Sequence, residues 1–244
     1  MSMEKRFFVN AEDVIQETIK LTGEEHNHLS KVLRLRVGDS VECFYDNSAI
    51  YVCEIKLITK TESVLKIVST YECKANPKLN ITLYQALPKL DKLELVAQKL
   101  TEIGVSKIVP FSSTFCIAKD NANKIERLKK IVISACKQCG RTSVPCIENT
   151  IKFTDLLQEL KNYDLVVFAN ETENNNLLKD KISGKNVKNV AYIVGSEGGF
   201  SKQEIDELNK FENVCSITLG KRILRTETAS IILGALLCYE LGEI

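Results

Sequence analysis

Three glycines surround one carboxylate in Gly195-Ser196-Glu197-Gly198-Gly199, directly after the apolar run 190–194. Glycine lets a ligand approach the backbone with no Cβ in the way, and a short apolar run feeding such a loop reads as a buried strand ending at a binding site. The loop is neither a P-loop nor a dinucleotide fingerprint, because G-x-x-x-x-G-K-[ST] and G-x-G-x-x-G are both absent. Glu197 would repel a phosphate here, so a neutral or cationic ligand fits better. The plainer alternative is a tight strand-to-helix turn, with Ser201 as N-cap and Glu204 completing a capping box; the two roles are compatible.

A second stretch carries the complementary chemistry: Leu219-Gly220-Lys221-Arg222-Ile223-Leu224-Arg225-Thr226-Glu227-Thr228-Ala229. Gly220 ends a strand, Lys221, Arg222 and Arg225 occupy the following loop, and Thr226 is expected to cap the last helix. Cationic side chains beside a glycine-rich loop suit an anionic substrate. The alternative is that Arg225 pairs with Glu227 or Glu197 as a structural ion pair.

The elements that must position these loops follow from periodicity. Short alternating runs at 40–45, 50–57 and 63–68, with turn chemistry in Asp46-Asn47-Ser48, predict a small antiparallel β domain. One short helix is expected over 26–35, from Leu29, Val32 and Leu33. Proline at Lys74-Ala75-Asn76-Pro77 marks a boundary, giving domains 1–73 and 74–244. Beyond it strands (79–87, 107–111, 164–169, 190–194, 214–219) alternate with helices (90–103, 124–139, 202–211, 227–241). That order predicts an α/β domain with a largely parallel sheet.

Composition bounds the class. With 244 residues and 44% apolar content, the chain can bury a substantial core. The most apolar late run, 229–239, is about half the length a membrane-spanning helix needs. The N-terminal residues lack an apolar signal core, so a cytoplasmic protein is expected. Nine cysteines without framework spacing read as reduced thiols. Cys136-Lys137-Gln138-Cys139 lacks a nearby fourth zinc ligand, since the only histidines are His26 and His28, so no metal is expected. The net charge is +1, yet 76–145 carry 12 Lys/Arg against 5 Asp/Glu. Such a segment could meet phosphate backbone, or form a solvated helix face over 119–137.

Together the motifs resemble the ribosomal RNA small subunit methyltransferase E family. The loop continues into Phe200-Ser201 with Glu204-Ile205, and its partner runs from Leu219-Gly220 through Ile223 to Ala229. Arg6-Phe7-Phe8-Val9, His28-Leu29 with Val32-Leu33-Arg34-Leu35, and Gly38-Asp39 are similar to the family's N-terminal signatures. Gln85-Ala86-Leu87-Pro88-Lys89, 99–105, and Gln138-Cys139-Gly140-Arg141 with Val144-Pro145 extend the match over nearly the whole chain.

The resemblance implies SPOUT-class enzymes that methylate N3 of a uridine in 16S ribosomal RNA. Their fold is an N-terminal PUA-like antiparallel β-barrel plus a C-terminal SPOUT domain with a mostly parallel sheet and a deep trefoil knot, and they act as homodimers. It implies S-adenosyl-L-methionine as cofactor, bound by Phe168, Ala169, Asn170, Gly195, Ser196, Glu197, Gly198, Gly199, Leu219, Gly220, Ile223 and Leu224. RNA contacts are implied at Arg6, His28, Arg34, Arg36, Lys89, Arg141 and Arg222. Arg225 is the expected electrostatic stabiliser, and Glu197 a loop organiser or base. The alternatives are a SPOUT enzyme with another RNA target and a catalytically silent RNA-binding protein. Two departures stand out: Ser196 replaces the family's usual proline, and Thr114-Phe115 stand where a Glu-Arg pair is common.

Overall fold

The structure, a computed structural model, describes residues 5–89, 91–117, 122–182 and 187–244. Leu90, at the expected start of one helix, and Lys119, on the expected basic face, lie outside the described residues. The chain divides into two compact units; the first comprises residues up to Asn76 together with Ile133–Val144.

In the first unit, β1 (Arg6–Phe8), β2 (Val14–Ile15), β3 (Thr18–Thr22), β4 (Ser40–Phe44), β5 (Ile50–Ile58) and β6 (Glu62–Tyr71) form one sheet. The strand order is β1-β4-β5-β6-β3-β2. The pairing is antiparallel except for β1 with β4, which is parallel, a correction to the all-antiparallel expectation. Alternation puts Ile19, Leu21, Val41, Cys43, Cys53, Ile55 and Leu65 on one face, where Phe7 and Leu29 complete the core. Irregular register in β5 at Val52/Cys53 and Ile55/Leu57 bends the sheet around that core.

The helix expected over 26–35 is instead α1 (Gly23–Asn27) followed by one π-turn, His28–Val32. Arg34 adopts a left-handed φ of 51°, which stops helical propagation, and Val32 is solvent-exposed rather than core. Segment 133–144 is bonded into this unit. Thr142 Oγ1 donates to the Ser48 carbonyl (2.8 Å), Asn76 Oδ1 accepts from the Thr142 and Ser143 amides (both 2.8 Å), and Lys137 pairs with Glu25 (2.8 Å).

The second unit holds β7 (Asn80–Ala86), α2 (Lys92–Ile103), β8 (Lys107–Ser112), the first part of α3 (Ala122–Cys139), β9 (Cys146–Ile147) and β10 (Ile151–Lys152). It continues with α4 (Phe153–Glu159), β11 (Leu165–Ala169), α5 (Leu178–Ile182), β12 (Asn189–Val194), α6 (Lys202–Leu208), β13 (Val214–Ile217) and α7 (Thr226–Glu240). The order is β10-β8-β7-β12-β11-β13, with β9 on β8, and every pairing is parallel. Burial on both faces explains the continuous apolar runs of β11 and β12. On α3, Ile125, Leu128 and Val132 are buried at helical spacing, while Glu126, Arg127, Lys129 and Lys130 face solvent. The close seat of α7 depends on Gly234, where a Cβ would lie 2.7 Å from Tyr192 Oη and 2.8 Å from Leu100 Cδ2. Among the described residues no helix is long and apolar enough to cross a membrane.

Candidate active site

In a parallel sheet, ligands bind beyond the carboxyl ends of the strands, where the connections diverge. The loops after β11, β12 and β13 converge there on a cleft of about 410 Å³. The loop after β11 supplies Ala169 to Asn174, the loop after β12 Gly195 to Glu197 and Gly199, and the segment after β13 Thr218 to Arg225. The first and third are tied together: Asn170 N donates to the Ile217 carbonyl (3.0 Å) and Asn170 Nδ2 to Ser216 Oγ (3.2 Å).

The glycines have distinct physical reasons. A Cβ on Gly195 would sit 3.1 Å from the Gly199 backbone, and Gly199 turns back at φ +66° with its amide donating to the Ser196 carbonyl (3.0 Å). A Cβ on Gly198 would meet Phe115 Cβ at 2.8 Å. The expected capping box is present: Ser201 Oγ accepts from Glu204 N, and Glu204 accepts from Ser201 N. Thr226, by contrast, is the first residue of α7 and not its cap, which is Arg225.

The Thr226 hydroxyl instead donates to the Gly195 carbonyl (2.6 Å). It also accepts from Gln85 Nε2 (3.0 Å), whose other amide atom, Oε1, accepts from Ser230 Oγ. Gln85, Thr226 and Ser230 are all buried, so this satisfied network clamps the end of β7, the 195–199 loop and the start of α7.

Glu197 Oε1 accepts from Lys92 Nζ (2.7 Å) and from the Lys89 amide (3.1 Å). Lys92 Nζ also lies 3.3 Å from Glu227 Oε2, an ion pair without hydrogen-bond alignment. Partial burial works to raise the Glu197 carboxyl, but the Lys92 ammonium and the backbone donors outweigh it and hold it below its ordinary value. The contact with Glu197 pushes Lys92 upward in turn, against a smaller opposing effect of burial. A carboxylate held low is a poor general base, so of the two expected roles the geometry supports loop organiser. Arg225 pairs with neither glutamate, because Lys92 takes both; its exposed side chain lines the cleft.

Comparison with known proteins agrees with this architecture. Residues 74–238 match the model of an RNA methyltransferase domain, and residues 21–68 that of an RNA methyltransferase PUA domain. The Rickettsia conorii ribosomal RNA small subunit methyltransferase E is 35% identical over 93% of this chain and 91% of its own. The chain belongs to the ribosomal RNA small subunit methyltransferase E family. The Bacillus subtilis member is 32% identical, covering 98% of this chain and 97% of its own. The crystal structure of the Neisseria gonorrhoeae ribosomal RNA small subunit methyltransferase E bound to S-adenosyl methionine superposes with a TM-score of 0.88 at 28% identity, covering 96% of this chain and 97% of that one.

Of the residues singled out in the sequence of this family member, Ala169, Asn170, Gly195, Ser196, Glu197, Gly199, Leu219, Gly220, Arg222, Ile223, Leu224 and Arg225 all line the cleft. Phe168 does not: it is fully buried, packing edge-on against Phe200 at 6.0 Å, and supports the cleft from beneath. Gly198 faces a neighbouring groove together with Lys89. Arg34 and Arg36 are exposed in the first unit, where His28 is half-buried against the Phe7 ring.

Arg6 and Arg141 are corrections to the RNA-contact expectation. They are only 7% and 2% exposed: Arg6 is bound to Glu42 through Nε and NH2 (2.9 and 2.6 Å), and Arg141 donates to Ser143 Oγ. Both are built into the first unit rather than offered to a ligand. Burial pushes the Cys136 thiol up to about 12, with Arg141 opposing, which leaves it unreactive. Lys92 and Gln85 are the site residues that sequence reasoning missed as such. Gln85 was visible inside the 85–89 motif, but on a strand that also carries Asn80 and Thr82 nothing local marked it as an interior clamp.

Proposed function

We infer that this chain is an S-adenosylmethionine-dependent ribosomal RNA methyltransferase, and we propose N3 of a uridine in 16S rRNA as its target. The observation that carries the reading is the cleft in which a glycine-rich loop bearing Glu197 meets the cationic segment 221–225. The cleft fits the donor. Its volume is that of a small-molecule site, and the buried Ser196 hydroxyl has no partner among the described residues. Loops 169–174, 195–199 and 218–224 would hold the adenosine and methionine parts, with Glu171, Glu173 and Glu197 as the carboxylates of the lining.

S-adenosylmethionine, when bound, supplies an electrophilic methyl group. The chain's own work is to orient the uracil and to favour release of the N3 proton to solvent water. Arg225, exposed in the cleft, would stabilise negative charge spread over the uracil oxygens, a contribution realised as that charge develops. Lys92 keeps Glu197 ionised and the loop closed, so the carboxylate organises the site without taking the proton. Alignment of the reactants then provides much of the acceleration.

The same reading assigns 1–73 to a PUA-like RNA-binding domain and 74–244 to a cytoplasmic SPOUT catalytic domain carrying the family's trefoil knot. The knot assignment is supported by three cleft loops that follow the adjacent strands β12, β11 and β13. A homodimer is supported by Ile232, Leu236 and Tyr239, exposed at helical spacing along α7. Sedimentation of the full chain should give twice the monomer mass; a monomer at micromolar concentration would remove that assignment. For the reaction, 16S rRNA lacking its native methylation is incubated with enzyme and donor and its nucleosides are resolved by mass. N3-methyluridine is the expected product, another methylated nucleoside would overturn the target, and none would favour a silent RNA-binding protein.

A further inference from the structure

We propose that Phe115 is a stacking platform for the base of an unpaired RNA nucleotide flanking the reacting uridine. The inference rests on the rRNA methyltransferase reading and adds a nucleotide subsite to it. Beside the donor cleft lies a second groove of about 580 Å³, lined by Lys89, Phe115, Cys116, Ile117, Glu197 and Gly198 among others. Glu197 lines both spaces, so the 195–199 loop is a wall common to the two. A nucleotide next to one held in the cleft can reach the groove across this wall.

The groove's chemistry suits a base. Phe115 is 47% exposed and Ile117 74%, an apolar surface left open to water on a segment that is otherwise well fixed. Thr114 N donates to Glu204 Oε1 (2.8 Å), Cys116 N donates to the Ser113 carbonyl (3.1 Å), and the Phe115 Cβ rests on Gly198. A ring that is rigidly mounted yet half exposed loses little freedom when a flat partner covers it. Lys89 adds a solvent-exposed ammonium for the phosphate of the same nucleotide. Glu197, the one carboxylate in the wall, is already engaged by Lys92 and the Lys89 amide, so it opposes an incoming phosphate less than a free carboxylate would. Aromatic stacking beside a basic group is how unpaired RNA is gripped without reading its sequence.

The chain contains no tryptophan, so Phe115→Trp creates a single reporter at the groove. With the full-length protein, uridine-rich oligoribonucleotide should quench that emission, whereas S-adenosylmethionine alone should leave it nearly unchanged. Phe115→Ala should raise KM for 16S rRNA roughly tenfold, as removal of one base stack implies, with kcat and donor Kd changed by less than about twofold. Phe115→Leu keeps the packing on Gly198 and should show the same KM defect. An unchanged KM in both variants, or a tryptophan emission indifferent to RNA, would overturn the proposal. So would a parallel loss of donor affinity, which would mean that Phe115 only braces the loop, or dissociation of an oligomer without a change in KM. If the wild-type protein methylates no RNA, the functional reading falls separately, and quenching by RNA still decides whether Phe115 is a nucleotide site.

Discussion

The N-terminal unit runs its strands mostly antiparallel and hides one face of the sheet, so its polar side chains fall to the surface or are absorbed by neighbours. In the C-terminal unit every strand pair is parallel and the sheet is covered on both faces, leaving only the loops beyond the strand ends for chemistry. Arginine shows the consequence. Arg6 on β1, and Arg141 beside the left-handed Gly140, are internal and paired, whereas Arg222 and Arg225, on the segment after β13, stand open in the cleft. The same side chain is internal or open to a ligand according to the backbone that carries it.

The largest expected effect falls on the open arginine. Arg225→Ala should lower kcat by about 10²-fold or more under saturating donor and RNA, the scale for losing a preorganised charge stabiliser, while leaving the thermal midpoint near wild type. Turnover unchanged at saturation would erase the contrast between the two kinds of arginine. Arg6→Ala should do the reverse: it frees Glu42 in a largely buried pair and should cost about 3–5 kcal/mol of stability, read by denaturant unfolding. Next comes the interior clamp. Gln85→Leu leaves Thr226 and Ser230 short of partners, and stability should fall by about 1–3 kcal/mol.

Lys92→Met sharpens the comparison through pH. Because Glu197 is held below its ordinary value of 4.5, the stability it contributes is complete above that pH and is lost as pH falls through the lowered value. The midpoint difference between wild type and Lys92→Met should therefore be greatest above pH 4.5 and shrink below it; a constant difference across that range would contradict the ion-pair account. The smallest effect belongs to the first unit's exposed cations. Arg34→Ala with Arg36→Ala should weaken rRNA binding, with kcat unchanged. The salt dependence of binding should flatten by about one unit of slope for each phosphate that is no longer neutralised.

Much of this was legible in the chain. Apolar runs located β11 and β12, and Ser201 with Glu204 announced the cap of α6, because both signals are local. The parallel β1–β4 pair was not legible, since three residues carry no periodicity that distinguishes strand direction. Nor were β9, β10 and the seven-residue α4, whose form is set by the sheet they dock on. In the site, glycine and arginine were conspicuous, but Lys92 stood on an ordinary amphipathic helix. Its link to Glu197 spans 105 positions, a pairing that only the tertiary fold creates. The burial of Arg6 and Arg141 was hidden for the same reason, because their shielding arises from the return of 133–144 onto the first unit.

The central claim is that the cleft formed by loops 169–174, 195–199 and 218–224 binds the methyl donor. Isothermal titration of S-adenosylmethionine into the full-length chain tests it directly. The account predicts saturable binding at one site per chain, retained in Arg225→Ala and weakened in Lys92→Met. Absence of binding at millimolar donor, with the protein folded by circular dichroism, would contradict it.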